Sequence, residues 1–468
     1  MNGFYKFNLD KRILKSIENM GYENPSKVQE ETIPKLLEGK DLIVKAQTGS
    51  GKTAAFAIPI IENIDIENNK VAALILTPTR ELAVQVKEEI TNLGIYKKIK
   101  VAAIYGKQPM KVQERELNQR VHIVVGTPGR TMDHIKKGNL DISNISYLVI
   151  DEADEMLNMG FIEQVEEIIN LLPKNRQTLM FSATFSEEIK NLTKKHMKSP
   201  DIIEINPEKL TVDNINQVYY EVKEEKKIDL LKDLFKIKEI NQGIIFCRTK
   251  KNVALLYSNL KGNEYSVCQI HGDMEQRDRL EALNAFKSGE YMFIVATDVA
   301  ARGIDASGVT HVINYDIPLE LEAYVHRIGR TGRAGSKGEA LTFVTPYEEK
   351  FLRAIEEFID HKITKVMAPT KEELSKCIPR KTTEIIKKEG PSFEVIKVKI
   401  NGGKKNKVRR GDIVGALAKD IGIPGDSIGV IDIFDYYSTV DILNGYGKEL
   451  IKKGEIKIKK DFIRVSKV

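Results

Sequence analysis

Tyr147-Leu148-Val149-Ile150-Asp151-Glu152-Ala153-Asp154 runs from an apolar stretch straight into three carboxylates. Upstream stands Ala46-Gln47-Thr48-Gly49-Ser50-Gly51-Lys52-Thr53, a glycine-rich turn closed by Lys-Thr. A buried strand that ends in Asp-Glu, matched to such a loop, is an arrangement that holds a magnesium nucleotide. Gly49 and Gly51 let backbone N–H groups wrap phosphate oxygens, and the N-terminus of the following helix adds a favourable field. Lys52 is expected to bridge the β- and γ-phosphates, and Thr53 and Asp151 to hold Mg2+. Glu152 is placed to polarise the attacking water as general base. Ala46 occupies a slot that the loop pattern ordinarily fills with glycine. Taken singly, the loop is a flexible Gly/Ser turn and the carboxylates an acidic helix start. Their occurrence together in one domain selects the nucleotide reading.

Working outward, residues 40–205 alternate short apolar runs with amphipathic stretches. The runs are Asp41–Val44, Val71–Leu76, Lys100–Ile104, His122–Val125, Tyr147–Ile150 and Gln177–Phe181. They are solid rather than alternating, as expected of parallel strands buried on both faces. The pattern restarts with Gln217–Val222, Gly243–Cys247, Tyr265–Ile270, Phe293–Ala296, His311–Asn314 and Ala340–Val344. The linker between the two sets is expected near Asn206–Asn216, and no sequence repetition relates them. A helix is expected over Glu348–Asp360, then a polar tether over Ala368–Gly390. The remainder reads β-α-β-β-α-β. Its strands are Val395–Ile400, Ile428–Phe434, Ser438–Leu443 and Phe462–Val465, and its helices Asp412–Lys419 and Lys448–Lys453. That order is the ferredoxin-like arrangement of RRM domains.

The 468 residues suffice for about three domains. No apolar stretch reaches the roughly 18 residues that span a bilayer, and the N-terminus lacks the apolar core of a signal peptide. A cytoplasmic protein without membrane association is expected. Cys247, Cys268 and Cys377 form no CxxC pair, and the seven histidines lack ligand spacing. Any metal is therefore expected to be held by carboxylates and phosphates. The net charge of +6 is unevenly placed. Residues 391–468 carry 16 Lys and Arg against 10 Asp and Glu, so the whole excess sits there. A compact basic module of this kind points to nucleic acid.

Phosphoryl transfer also needs positive charge on the γ-phosphate. His326-Arg327-Ile328-Gly329-Arg330-Thr331-Gly332-Arg333 offers it, unless this is a basic loop that faces RNA. With these residues in view, positions 4–365 resemble the DEAD-box RNA helicases of superfamily 2. Phe7 with Gly21 to Gln29 resembles the Q motif, in which Gln29 reads the adenine edge and Phe7 stacks. Pro78-Thr79-Arg80 and Thr127-Pro128-Gly129-Arg130 resemble the RNA-backbone motifs. Ser182-Ala183-Thr184 resembles the motif that couples hydrolysis to strand separation, through Ser182 and Thr184. Arg248, Gln276, Arg279 and Thr297 fall in the matching RNA motifs of the second half. The resemblance implies two RecA-like parallel-sheet domains in tandem, which ATP and RNA draw together. Closure then aligns the catalytic Arg330 and Arg333 on the γ-phosphate, sets Asp305 near the ribose, and lets His326 link the two halves. One departure is visible, since Gly106-Lys107 stands where the family has two glycines.

Residues 391–468 resemble the RNA-binding domain of the bacterial DbpA/YxiN-type members, on the element order, Ile428 to Ile433 and the basic ending Phe462-Ile463-Arg464-Val465. The resemblance implies a tether to a hairpin of 23S ribosomal RNA and to pre-50S particles. Base stacking on its sheet is not expected, because Thr439 stands where the central aromatic belongs. Lys404, Lys405, Lys407, Arg409, Arg410, Lys457, Lys459, Lys460 and Arg464 are the expected phosphate contacts.

The fold expected is thus α/β: a RecA-like domain over 1–208, a second over 214–365, a linker over 366–390, and an RRM-like α+β RNA-binding domain over 391–468. The function expected is a monomeric, ATP- and Mg2+-dependent RNA helicase that opens short duplexes during large-subunit assembly. An ATP-gated RNA clamp is the alternative. A DNA helicase is disfavoured by the motif set and the tail.

Overall fold

The computed structural model describes residues 2–46, 49–205, 215–301, 308–332, 337–376, 395–459 and 461–468. Two compact units divide the chain. The first holds residues up to Lys45, Gly51–Glu204 and the C-terminal segment described from Val395 onward. The second holds Ala46, Gly49 and Ser50 together with the described residues from Ile205 to Lys376.

The first sheet contains β1 (Leu42–Lys45), β2 (Ala73–Leu76), β3 (Val101–Ile104), β4 (Ile123–Gly126), β5 (Tyr147–Ile150), β6 (Gln177–Ser182) and β7 (Asp201–Glu204). Its order is β3-β4-β2-β5-β6-β1-β7, and every pairing is parallel. β2, β3, β4 and β6 are buried at every position, as their solid apolar composition requires. The edge strand β7 was missing from the sequence reading. Its Ile202 is exposed, so only Ile203 offers a buried apolar signal. Parallel pairing sets the ends of β1, β2, β4, β5 and β6 along one edge. The glycine-rich loop, Pro78-Thr79-Arg80, Thr127, Asp151 and Ser182 all leave the sheet there.

The second sheet contains β8 (Ile215–Glu221), β9 (Gly243–Phe246), β10 (Val267–Ile270), β11 (Phe293–Ala296), β12 (His311–Asn314), β13 (Gly338–Val344) and β14 (Thr364–Lys365). Its order, β10-β11-β9-β12-β13-β8-β14, repeats the first sheet strand for strand. The linker expected to end at Asn216 ends earlier, because β8 already begins at Ile215. A helix at Glu349–Phe358 occupies the stretch expected to be helical, and Lys371–Lys376 adds a turn of helix at the start of the tether.

The third sheet is antiparallel. β15 (Ile396–Ile400), β16 (Ile428–Ile433), β17 (Ser438–Ile442), β18 (Glu455–Ile458) and β19 (Asp461–Lys467) lie in the order β16-β17-β15-β19-β18. Without β18 this is the four-strand order of the ferredoxin-like fold. β18 corrects the sequence reading. Glu455-Ile456-Lys457-Ile458 alternates outward charge with buried isoleucine, and it pairs with β19 through a tight turn at Lys459 (φ 59°). Among the described residues, no helix is long and apolar enough to cross a membrane.

Candidate active site

The helix Lys52–Asn63 starts at Gly51, whose φ of 87° lies in the left-handed region that favours glycine. A Cβ there would sit 2.5 Å from Nε2 of Gln29. That amide ties two motifs together. Gln29 Nε2 donates to the Gly51 carbonyl at 3.1 Å, and Gln29 Oε1 accepts from the Ser26 N–H at 2.9 Å within a capping box. The amide keeps one N–H and one lone pair beyond these two bonds, enough for a paired contact with a nucleobase edge. Phe7, half-buried, packs edge-on against Phe4. Gln47 and Thr48 lie outside the described residues.

Lys52 Nζ stands 3.9 Å from Asp151 Oδ1, with side chains only 7% and 4% exposed. Burial pushes the Asp151 carboxyl up to about 6; Lys52 opposes the shift and Glu152 adds to it. Asp151 Oδ1 is buried with no hydrogen-bond donor. A dehydrated carboxylate oxygen with no hydrogen-bond donor, beside Lys52 of the phosphate loop, fits a divalent cation. Among the described residues, no cluster of three or more His, Cys, Asp or Glu could hold a metal without further ligands. Phosphate oxygens would have to complete the shell. Glu152 is buried and sits at φ 54°, ψ 55°, an uncommon conformation for a side-chain-bearing residue. Backbone strain of about 1–3 kcal/mol is held here where the carboxylate must be aimed.

Asp154 completes the tetrapeptide by another route. Its Oδ2 accepts the N–H groups of Ala183 and Thr184, both at 3.0 Å, and the Thr184 hydroxyl at 3.3 Å. Ser182 Oγ donates to the Thr184 carbonyl at 2.6 Å. Ser182-Ala183-Thr184 is therefore bonded directly to Asp154, the last residue of the acidic tetrapeptide.

The expected RNA motifs of this unit share the same sheet edge. Thr79 Oγ1 caps the helix Arg80–Leu93 by accepting from Leu82 N–H at 3.2 Å, and Thr127 begins the helix Pro128–Lys136 with Gly129 in its first turn. Arg130 is engaged already: its Nη1 donates to the Gln108 carbonyl at 2.8 Å and to Gln113 Oε1 at 3.0 Å. Gln113 Nε2 in turn donates to the Tyr105 carbonyl at 2.8 Å, and His134 Nε2 lies 3.0 Å from Gln113 Oε1. Burial, then Arg130, lowers the His134 pKa and keeps the ring neutral. Arg130 thus pins the loop that carries Gly106 and Lys107. Sequence reasoning missed Gln113 and His134, which carry no motif signal. Lys107 adopts φ 62°, which explains why glycine suits that slot.

In the second unit, Arg248 donates through Nη2 to Glu348 at 2.7 Å, and its N–H bonds Asp316 at 2.8 Å. Lys227, 1% exposed, neutralises the group with contacts to Glu224 at 2.8 Å and Asp316 at 3.2 Å. These partners are far apart in sequence and left no local signal. Gln276 and Arg279 are buried, while Thr297 accepts from the N–H groups of Ala300 and Ala301 at the start of a short helix. His326 and Arg330 line one small cavity with Asp298. Arg327 is the structural member of its motif. It is 2% exposed and bonds Asp298 at 2.7 Å, Asn314 at 3.2 Å and the Asp316 carbonyl at 2.7 Å. Asp305 and Arg333 lie outside the described residues.

Three family profiles match the chain: DEAD/DEAH box helicase over residues 26–192, helicase conserved C-terminal domain over 226–335, and DbpA RNA binding domain over 397–467. The chain is 51% identical over 460 residues to the ATP-dependent RNA helicase DbpA of Bacillus subtilis, covering 97% of this chain and 96% of that one. The chain belongs to the DbpA-type DEAD-box ATP-dependent RNA helicases. The CshA helicase of Geobacillus kaustophilus is 48% identical over 80% of each chain. Among solved structures, S. cerevisiae Dbp5 bound to RNA and ADP BeF3 is 34% identical, with a TM-score of 0.72 over 80% of this chain and 98% of that one. The helicase is an RNA-dependent ATPase that binds ATP through its core and RNA through core and C-terminal domain.

In that C-terminal domain, Lys404, Lys405, Lys407, Arg409, Lys457, Lys459 and Arg464 are exposed. Lys405 bonds Tyr436 Oη at 2.6 Å and Lys459 the Lys407 carbonyl at 2.6 Å, which gathers one basic cluster around two loops. Arg410 differs from the others. It is half-buried, donates to the Ile431 carbonyl at 3.1 Å, and is turned inward. Lys460 lies outside the described residues.

Proposed function

We propose that this helicase works on 23S ribosomal RNA in precursors of the large ribosomal subunit, as a cytoplasmic monomer that opens short duplexes beside a tethering hairpin. The observation that carries this reading is the charge distribution. The entire +6 excess falls in residues 391–468, which contain the segment that matches the DbpA RNA binding domain, and seven of its basic residues, Lys404, Lys405, Lys407, Arg409, Lys457, Lys459 and Arg464, are exposed. A sequence-neutral core then needs no preference of its own, because base-independent contacts to phosphates suffice once the tail has chosen the RNA.

In the core, Lys52 and the backbone around Gly49 and Gly51 cradle the phosphates. Thr53 and Asp151 would hold Mg2+, which when bound neutralises phosphate charge. Gln29 and Phe7 select adenine. Glu152 orients the water and accepts its proton. Arg330, and Arg333 with it, stabilises charge on the γ-phosphoryl group. Asp154 reports the state of that site to Ser182 and Thr184.

The test compares ATPase stimulation by a panel of large-subunit ribosomal RNA fragments with stimulation by unrelated RNA. The unaltered chain should prefer one ribosomal fragment, and a Lys404→Glu, Lys405→Glu, Arg464→Glu variant should lose that preference while keeping its basal rate. No preference in the unaltered chain, or full preference in the variant, overturns the reading.

A further inference from the structure

The open face of the C-terminal sheet has two unlike halves. On β16, β17 and β15 it presents Val430, Asp432, Thr439, Asp441, Lys397 and Lys399. Lys397 is already committed to Asp441 across the paired strands at 3.3 Å. On β18 and β19 it presents Lys457, Arg464 and a 68% exposed Phe462, with Glu455 opposite Arg464. The first half sets two carboxylates, Asp432 and Asp441, against two lysines, Lys397 and Lys399, so it offers a phosphate chain no net attraction.

That first half is covered, and what covers it lies in the same compact unit. Lys100, in the turn that enters edge strand β3, forms an ion pair with Asp432. The two side chains are 10% and 13% exposed. Leu443, 1% exposed, packs on Ile95 and Tyr96, with Val395 alongside. Tyr96 Oη donates to Asn444 Oδ1 at 3.3 Å while it accepts from Asn19 Nδ2 at 2.6 Å. Lys98 Nζ reaches the Gly425 carbonyl at 3.2 Å. An apolar anchor ringed by polar contacts is the anatomy of a specific interface. A cleft of about 680 Å3 remains between the two partners, lined by Lys87, Arg115, Lys399, Phe434 and Tyr437 among others. Such incomplete packing suits a contact that can open.

We propose that the β16–β17–β15 face is an intramolecular docking surface for the first helicase domain, centred on Lys100–Asp432 and Leu443, rather than an RNA platform. The C-terminal domain is thereby carried by the first helicase domain, and the basic β18–β19 half is left for RNA. Asp432, which would repel a phosphate chain, here supplies the partner of Lys100. The inference stands apart from the ribosomal reading, since it concerns which surface docks and not which RNA is chosen.

The full-length protein tests it, with donor and acceptor fluorophores on unnatural residues at the exposed positions Lys111 and Lys452. Asp432→Lys and Lys100→Asp should each reduce the docked-to-undocked ratio at least about tenfold, as a like-charge contact would. The double swap, Lys100→Asp with Asp432→Lys, should restore the docked population. Affinity for a hairpin RNA with single-stranded flanks should be equal for the unaltered chain and the double swap. Unchanged energy transfer in both single variants, or no recovery in the double swap, overturns the proposal. So does tighter RNA binding in Asp432→Lys that persists in the double swap, because that result assigns the face to RNA.

Discussion

Replacing Asp151 by Asn should stabilise the nucleotide-free protein while abolishing its ATPase activity. The carboxyl titrates at about 6 in the fold, against 3.8 for an unburied aspartate, chiefly because burial penalises its charge. Between those values the folded chain holds a proton that the unfolded chain has released. Stability contributed by the neutral acid is therefore complete below pH 3.8, falls as pH rises through the window, and is gone above about 6. The gap corresponds to about 3 kcal/mol at 25 °C, with the attraction of Lys52 already included. An amide cannot copy every contact of a protonated acid, so a gain of about 1–3 kcal/mol is expected at pH 8. Urea unfolding followed by far-ultraviolet circular dichroism measures it; the chain has no Trp to serve as a probe. The difference between the two proteins should be small at pH 4, grow to pH 7 and then level off. Adding ATP and Mg2+ should reverse the order, since only the carboxylate can hold the cation. A destabilised Asp151→Asn protein at pH 8, or a difference independent of pH, would refute the argument that desolvation dominates this site.

Four further outcomes follow from contacts already described. Gly51→Ala forces a Cβ into Gln29 at a left-handed position, so ATP affinity measured by calorimetry should drop at least about tenfold, with a loss of about 1–2 kcal/mol in stability. Arg327→Met leaves Asp298 without its fork of donors and should cost about 3 kcal/mol in urea unfolding; Arg327→Lys should recover less than half of that. Lys107→Gly relieves a positive φ and should raise stability by about 1 kcal/mol, while the salt dependence of RNA affinity weakens by about one counterion if Lys107 meets a phosphate. Asp154→Leu removes the acceptor shared by Ala183 and Thr184, so ATP affinity should survive while RNA-stimulated turnover and duplex separation fall together.

The chemistry of this protein was legible in its sequence because its parts are contiguous. Glycines that let a loop wrap phosphate, a lysine at a helix start and carboxylates at a strand's end are each specified within a few residues. Solid apolar runs likewise announced the twelve strands expected in the two parallel sheets, while β7, β14 and β18 escaped. Each of those lies at a sheet edge, and an edge strand needs little apolar burial to be held by its neighbour. The repeated strand order of the two sheets left no sequence trace, since backbone pairing fixes order while side chains only have to stay apolar. Tertiary structure alone decided which basic and polar residues are spent inside the fold. Arg130 and Arg327 looked like their neighbours in sequence, yet one pins a loop and the other is buried on Asp298. The covered half of the C-terminal sheet is the same kind of fact. Asp432 finds Lys100 across more than three hundred residues of chain, and only folding brings that part-buried carboxylate to a lysine that neutralises it.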